Sequence, residues 1–282
     1  MPLRIVQSKQ NPRLKQLRRA LVKPLRDEET NGRVLAGIEG PNLLEEAIRA
    51  GLHIECVFVA EGNDWLLDGL ALRAETDVLV TSAGLLEACL ATETPQAVAA
   101  LVETPDWTWA HVIDPQRKGA ALIVVLAGLQ DPGNLGTILR SAEAFGADGV
   151  ISLPGTVNAW NPKAVRASAG SVFRVPVLEA SERLAMERLR DAGVKVWATT
   201  VHGALAADLA DLAGATALLI GHEGNGVPTD LAAKADGAVT IPCPGPVESL
   251  NASVATSVLL YEAARQRATR SGGPAVHRGS LR

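Results

Sequence analysis

The ten residues 120–129, AALIVVLAGL, constrain the fold more than any other stretch of the chain. The run is far shorter than the roughly 20 apolar residues that a bilayer span requires. With β-branched Ile123, Val124 and Val125 at its centre it is predicted to be a strand buried on both faces. The loop QDPGNLGT and the helical segment ILRSAEAFGA follow directly. A wholly apolar strand feeding a helix is the start of a parallel βα crossover, so this half of the chain is expected to build a mainly parallel α/β sheet.

The same alternation continues to the end of the chain. DGVISL is strand-like, NPKAVRASAG opens a helix ahead of VFRVPV, and SERLAMERLRDAG leads into the strand KVWATT. TALLIGHEGNGVP and AVTIPCPGPVESLN read as strands that end in Gly- and Pro-rich loops, and a last helix spans residues 251–267. In such sheets ligands bind outside the carboxyl ends of the strands. The loops DPGNLGTILR, GHEGNGVP and PCPGPVESLN all fall at those ends.

The first hundred residues form a smaller α/β pattern of their own. Leu14, Leu17, Leu21 and Leu25 recur at helical spacing in NPRLKQLRRALVKPLR, predicting an amphipathic helix with an Arg/Lys face. GRVLAGIEG, PNLLEEAIRAG, HIECVFVAEG, TDVLVTSAGLLEACL and QAVAALVE then alternate strand and helix, with Pro41 opening and Gly51 closing one helix. TPDWTWAHVIDPQRKG reads as a linker. The expected domains are residues 1–105, a linker over 106–118, a second domain over 119–268, and a flexible basic tail over 269–282.

Charge is unevenly spread. Residues 1–26 carry eight Lys or Arg and residues 265–282 five Arg, with no acid in either, while the rest holds 14 basic against 31 acidic residues. Basic ends on a chain of net charge −4 suit contact with phosphate, although a solvated helix and tail would give the same pattern. Cys56, Cys89 and Cys243 are widely spaced and follow no metal-ligand pattern, so reduced thiols are expected. The N-terminus lacks the apolar stretch of a secretory signal, which makes a cytoplasmic protein the default.

Within the three loops, Gly133 and Gly136 do not complete a dinucleotide fingerprint, and no Walker-type Lys-Ser/Thr follows them. A nicotinamide-dependent dehydrogenase is therefore disfavoured. Asn134 near a helix start and Arg140 almost two turns on can both serve one mouth. Glu223 sits among Gly221, Gly224 and Gly226, where bare backbone allows a ligand close approach. His222 has no nucleophile and acid at triad spacing and is read as structural. Glu248, Ser249, Asn251 and Ser253 gather where the last helix begins, which capping explains only in part.

NLGTILR, LLIGHEGNGV and IPCPGPVESLNASVA, in this order, resemble the three motifs of the SpoU (TrmH-type) family of S-adenosylmethionine-dependent RNA ribose 2'-O-methyltransferases, within the SPOUT superfamily. NPKAVRASAGSVFRVP is similar to the segment between them. QNPRLKQLRRAL through EGPNLLEEAIRAG and TETPQAVAALV is similar to the substrate-binding domain that precedes the catalytic one in many members. His222 and Cys243 stand where Asn or Ser, and Met, are frequent.

The resemblance implies a C-terminal trefoil-knotted parallel-sheet methyltransferase domain with a smaller N-terminal α/β (L30e-like) domain that binds RNA. It implies S-adenosylmethionine held by Thr199, Gly221, Ile241 and Leu250, and catalysis by Asn134, Arg140, Glu223, Ser249 and Asn251, with the polar residues orienting Arg140 and the target hydroxyl. It further implies a homodimer and no metal. Ribosomal RNA is the favoured substrate by analogy with two-domain members, with tRNA as the alternative. A non-catalytic RNA-binding protein on the same fold would be expected to lack Asn134, Arg140, Glu223 or Asn251, and all four are present.

Overall fold

The structure is a computed structural model, and it describes residues 3–26, 32–90, 92, 94–201 and 204–270. The chain divides into two compact units: Met1–Asp106 with Asn158–Arg174, and Trp107–Val157 with Val175–Arg282.

The first unit contains β1 (Leu3–Val6), α1 (Pro12–Ala20), β2 (Leu35–Glu39), α2 (Pro41–Arg49), β3 (Ile54–Ala60), β4 (Asp77–Thr81), α3 (Ala83–Glu87) and β5 (Val98–Glu103). Its five strands lie in the order β1-β4-β3-β5-β2. The β1–β4 and β4–β3 pairs are parallel, and the β3–β5 and β5–β2 pairs antiparallel.

The helix α1 opens as its sequence dictates. Asn11 Oδ1 accepts from the N–H groups of Arg13 and Leu14 at 2.9 and 3.4 Å, and Pro12 takes the first helical position. It is shorter than the leucine spacing predicts: Leu21 is its C-cap, and Leu25 pairs in a bridge with Leu35. All four leucines are still buried, because the chain past Ala20 folds back onto β2, where only Gly37 leaves room for Leu21. The exposed side carries Lys15, Arg18, Arg19, Lys23 and Arg26. Arg13 is instead committed to Glu55 at 3.1 Å.

The second unit begins with α4 (Trp109–Val112), inside the expected linker. A reciprocal cap between Thr108 and His111 fixes this turn, and Val112 packs against Gly149 so closely that a Cβ there would stand 2.8 Å from Val112 Cγ2. The chain continues through β6 (Leu122–Leu126), α5 (Pro132–Ala144) and β7 (Gly149–Ser152). The helix α6 (Pro162–Ser168) and the 3-10 turn Ser171–Phe173 after it fall in the first unit, although their sequence lies inside the span expected for the second domain. Then come β8 (Val177–Glu179), α7 (Glu182–Asp191), β9 (Lys195–Thr199), β10 (Leu205–Ala206), β11 (Thr216–Ile220), α8 (Thr229–Ala232), β12 (Gly237–Thr240) and α9 (Ala252–Arg270).

These seven strands form one parallel sheet in the order β10-β12-β9-β11-β6-β7-β8. Ile123 and Val125 face a core shared with Ala185, Met186 and Leu189 of α7. Leu122, Val124 and Leu126 point to the opposite face by the two-residue period of a strand. α5 and α9 pack together and contact β7 and β11. α9 runs through Arg270, so residues 269 and 270 of the expected tail are helical, and the rest of that tail lies outside the described residues. Among the described residues no helix is long and apolar enough to cross a membrane.

Candidate active site

The strands β6 and β11 are parallel neighbours at the centre of the sheet, with Leu126 level with Ile220. From β6 the chain passes to β7 on one side, and from β11 to β12 on the other. Their carboxyl ends therefore flank a switch point, where two loops diverge and leave a crevice. The loop after β6 carries Gln130 and Asp131 and delivers Asn134 in the first turn of α5, and the loop after β11 carries Glu223.

The two loops are joined. Glu223 Oε1 accepts from the backbone N–H of Asp131 at 3.1 Å and from Asn134 Nδ2 at 3.1 Å, and Oε2 accepts from the N–H of Gln130 at 3.4 Å. Partial desolvation pulls the Glu223 pKa upward. Its own backbone N–H, the Asn134 amide and the N–H groups of Asp131 and Gln130 outweigh that effect and hold the carboxyl below its ordinary value.

Asn251 brings in the third loop. Its Nδ2 donates to Asn134 Oδ1 at 3.0 Å, while its Oδ1 accepts from Ser253 N–H at 2.9 Å, Ser253 Oγ–H at 2.7 Å and Val254 N–H at 3.3 Å. Asn251 thus caps α9 with its oxygen and clasps Asn134 with its nitrogen, and one residue meets both demands that the polar cluster raised. Asp131 plays the matching part on α5, its Oδ1 accepting from Asn134 N–H at 2.8 Å with Pro132 at the first helical position. Sequence reasoning passed over Asp131, yet an acidic residue before Pro and three residues ahead of a functional Asn is a helix-start signal.

Beside this clasp a cleft of about 1180 Å³ opens. Thr199, Gly221, Ile241 and Leu250, the four expected donor contacts, all line it, as do Glu223 and Ser249. The Thr199 hydroxyl donates to Leu219 O at 2.9 Å, so it is committed to the sheet. Cys243 is exposed in the same lining, its Sγ 3.5 Å from Ile241 O.

Arg140 departs from expectation. It is exposed on α5 and, among the described residues, pairs with none of Asn134, Glu223, Ser249 or Asn251. The polar residues bind the loops to one another and leave the guanidinium uncommitted. The neighbouring Ser141 instead joins α5 to α9 through a 2.7 Å hydrogen bond with Ser257. The apolar residues of α9 divide: Leu259, Leu260 and Ala263 are buried, while Val254 and Val258 are 47% and 38% exposed. The neighbouring helix α5 covers only part of the circumference of α9.

Solved RNA methyltransferases share this architecture. The chain superposes on the SpoU methyltransferase AviRb from Streptomyces viridochromogenes in complex with AdoMet with a TM-score of 0.78 and 30% identity, covering 94% of this chain and 100% of that one. It superposes on the AdoMet-bound rRNA methyltransferase from Sinorhizobium meliloti with a TM-score of 0.76 and 29% identity, over 93% and 98% of the two chains. The fold is that of an RNA methyltransferase.

The family follows from the sequence matches. Residues 121–261 match the SpoU rRNA methylase family, and residues 11–100 match an MRM3-like substrate binding domain. The 23S rRNA (guanosine(2553)-2'-O)-methyltransferase RlmP of Bacillus subtilis is 32% identical over 224 residues, 79% of this chain and 86% of that protein. This chain belongs to the SpoU rRNA methylase family.

Proposed function

We propose that this protein transfers a methyl group from S-adenosylmethionine to a ribose 2'-hydroxyl of ribosomal RNA, with 23S rRNA as the substrate. The reading is carried by the clasp of Asn134, Glu223 and Asn251, which joins three loops at the mouth of the cleft. The rRNA activities named for the B. subtilis and S. meliloti relatives support the choice of RNA.

The cleft fits the donor. It has room for a nucleoside-sized molecule, and its lining combines apolar Ile220, Val239, Ile241 and Leu250 with loop backbone around Gly221 and Gly226. When bound, S-adenosylmethionine supplies an electrophilic methyl on a sulfonium whose leaving group needs no activation. What is left to the protein is alignment, exclusion of water and help for the departing hydroxyl proton. Thr199, Gly221, Ile241 and Leu250 hold the donor. C-terminal threading of the chain through a trefoil knot is part of the same proposal.

Glu223, kept as a carboxylate by its donors, is a poor proton acceptor, and its task is to lock the loops. Arg140 has a free planar fork, suited to clamping the phosphate beside the target ribose and steadying charge on the reacting oxygen. Deprotonated guanidinium is not required for this role. Ser249, exposed on the lining, orients the hydroxyl.

RNA is held in addition by the first unit, where Lys15 and Arg18 on α1 and Lys23 and Arg26 just after it face solvent for phosphate contact. A second copy of the chain covers the exposed α9 stripe of Val254, Val258 and Tyr261, forming a homodimer. The protein works in the cytoplasm, where its substrate is.

The test is incubation of the purified protein with tritiated S-adenosylmethionine and total RNA from a host lacking close relatives. Label in 23S rRNA at an alkali-resistant bond is expected. Label in tRNA alone would move the substrate to that class. Absence of label despite measured donor binding would overturn catalysis in favour of an RNA-binding role.

A further inference from the structure

The segment after β11 folds back on itself. A Cβ on Gly221 would run into the carbonyl carbon of Gly226 and the nitrogen of Val227, so the returning backbone covers the end of the strand. His222 and Gly226 exchange both backbone hydrogen bonds, at 3.0 and 2.9 Å. Glu223, Gly224 and Asn225 are left as a three-residue tip. Within that tip Gly224 N–H points back at the imidazole, and His222 Nδ1 accepts from it at 2.9 Å.

The ring thereby replaces a carbonyl that so short a tip cannot supply. Glu223 is bracketed: His222 before it is pinned by the backbone exchange, and Gly224 after it is pinned by the imidazole. Its carboxylate reaches Asn134 and the N–H groups of Asp131 and Gln130 only while the tip holds this shape.

We propose that His222 is a positioning residue of the methyl-transfer site, acting through Gly224 to fix Glu223 against Asn134. The proposal rests on the methyltransferase reading above. It also assigns the ring state. With Nδ1 accepting, the neutral imidazole carries its proton on Nε2 and has no free nitrogen with which to take a proton from the substrate. His222 is therefore not the general base. Asparagine offers an acceptor oxygen at the same δ position and should be able to restore the tether.

Three variants and a double variant test this: His222→Ala, His222→Asn, Glu223→Gln and the combination H222A/E223Q. Amide exchange of residues 221–227, followed by mass spectrometry, reads the tether without reference to activity. Exchange should be about tenfold faster in H222A, the loss of one hydrogen bond, and slow again in H222N. Single-turnover methyl transfer should fall about tenfold in H222A and recover to within about threefold in H222N, with RNA affinity unchanged. In H222A/E223Q the rate should match that of E223Q alone, because the imidazole acts only through the carboxylate.

Unchanged exchange in H222A, a failed rescue in H222N, or multiplied losses in the double variant would each overturn the proposal. If alanine disturbs folding, His222→Phe keeps a ring without the acceptor and should show the same faster exchange. Wild-type protein that methylates no RNA would refute the functional reading, and unchanged exchange in H222A would refute the tether, so the two failures are distinguishable.

Discussion

Asn134 and Asn251, 117 residues apart in the chain, meet side chain to side chain at 3.0 Å, with Asn251 Nδ2 donating to Asn134 Oδ1. Both amides are fixed in orientation by their other bonds, since Asn134 Nδ2 gives to Glu223 and Asn251 Oδ1 receives the first turn of α9. The chain of donors runs one way, from α9 through Asn134 to a carboxylate.

Asn134→Asp would reverse one end of that chain, placing a second carboxylate against Glu223 and removing its side-chain donor. Methyl transfer should fall at least tenfold, and denaturant unfolding should show about 1 kcal/mol of lost stability, a modest figure because the site is partly open to water.

Glu223 should also shape the response to acid. Its carboxyl titrates below its ordinary value when folded, so across that window the unfolded chain binds more protons. The stabilisation is complete above the unfolded value of about 4.3 and is lost as pH falls through the folded one. Glu223→Gln should therefore show a shallower decline of the urea midpoint than wild type between about pH 5 and pH 3. Identical slopes would refute the assignment.

Arg140 makes no bond within the described residues, so its replacement should leave the fold intact. Arg140→Ala and Arg140→Lys should both unfold within about 0.5 kcal/mol of wild type. Turnover should drop by roughly a hundredfold or more in each, because lysine restores the charge without the planar fork. Near-normal turnover in Arg140→Lys would show that the fork is not needed.

At the other end of α9, Arg267 donates to Ala120 O at 2.6 Å, to Ala121 O and Gly214 O at 2.8 Å each, and to Leu212 O at 3.4 Å. Burial and the nearby charge of Arg117 bring its pKa down to about 10, so it remains a cation at neutral pH. Arg267→Met would strand these carbonyls ahead of β6 and β11. A loss of about 2–3 kcal/mol in unfolding free energy is expected, measured by denaturation.

The cations on α1 and in the segment that follows it predict a salt effect. Replacing Arg18 and Lys23 by Gln should weaken RNA binding and lower the slope of log affinity against log salt by about 0.7 to 0.9 for each phosphate that is no longer neutralised. The thermal midpoint should not move, since both side chains are exposed.

Much of the fold was legible because its signals are local. The apolar run of β6, the proline starts of α1, α2 and α5, and the alternation of strand with helix each depend on a few neighbouring residues. Expectation failed where distant residues decided. The leucine spacing of α1 continued to Leu25, but Gly37 admits the chain past Ala20 onto β2, and the helix stops. The Trp-rich linker contains a packed turn because Gly149, far along the sequence, leaves a hollow for Val112.

The sequence by itself determined the residue types of the site and their order, since Asn134, Glu223 and Asn251 stand in or directly after loops that strand-helix alternation places at the carboxyl ends of one sheet's strands. The tertiary structure decided what they do. Their separations of 89 and 117 residues carry no local signal. Only the adjacency of β6 and β11, together with the packing of α5 on α9, brings their amides and carboxylate to hydrogen-bonding distance. The same packing leaves Arg140 outside the clasp, because a helix turned to bury Leu135, Ile138 and Leu139 must present residue 140 to solvent.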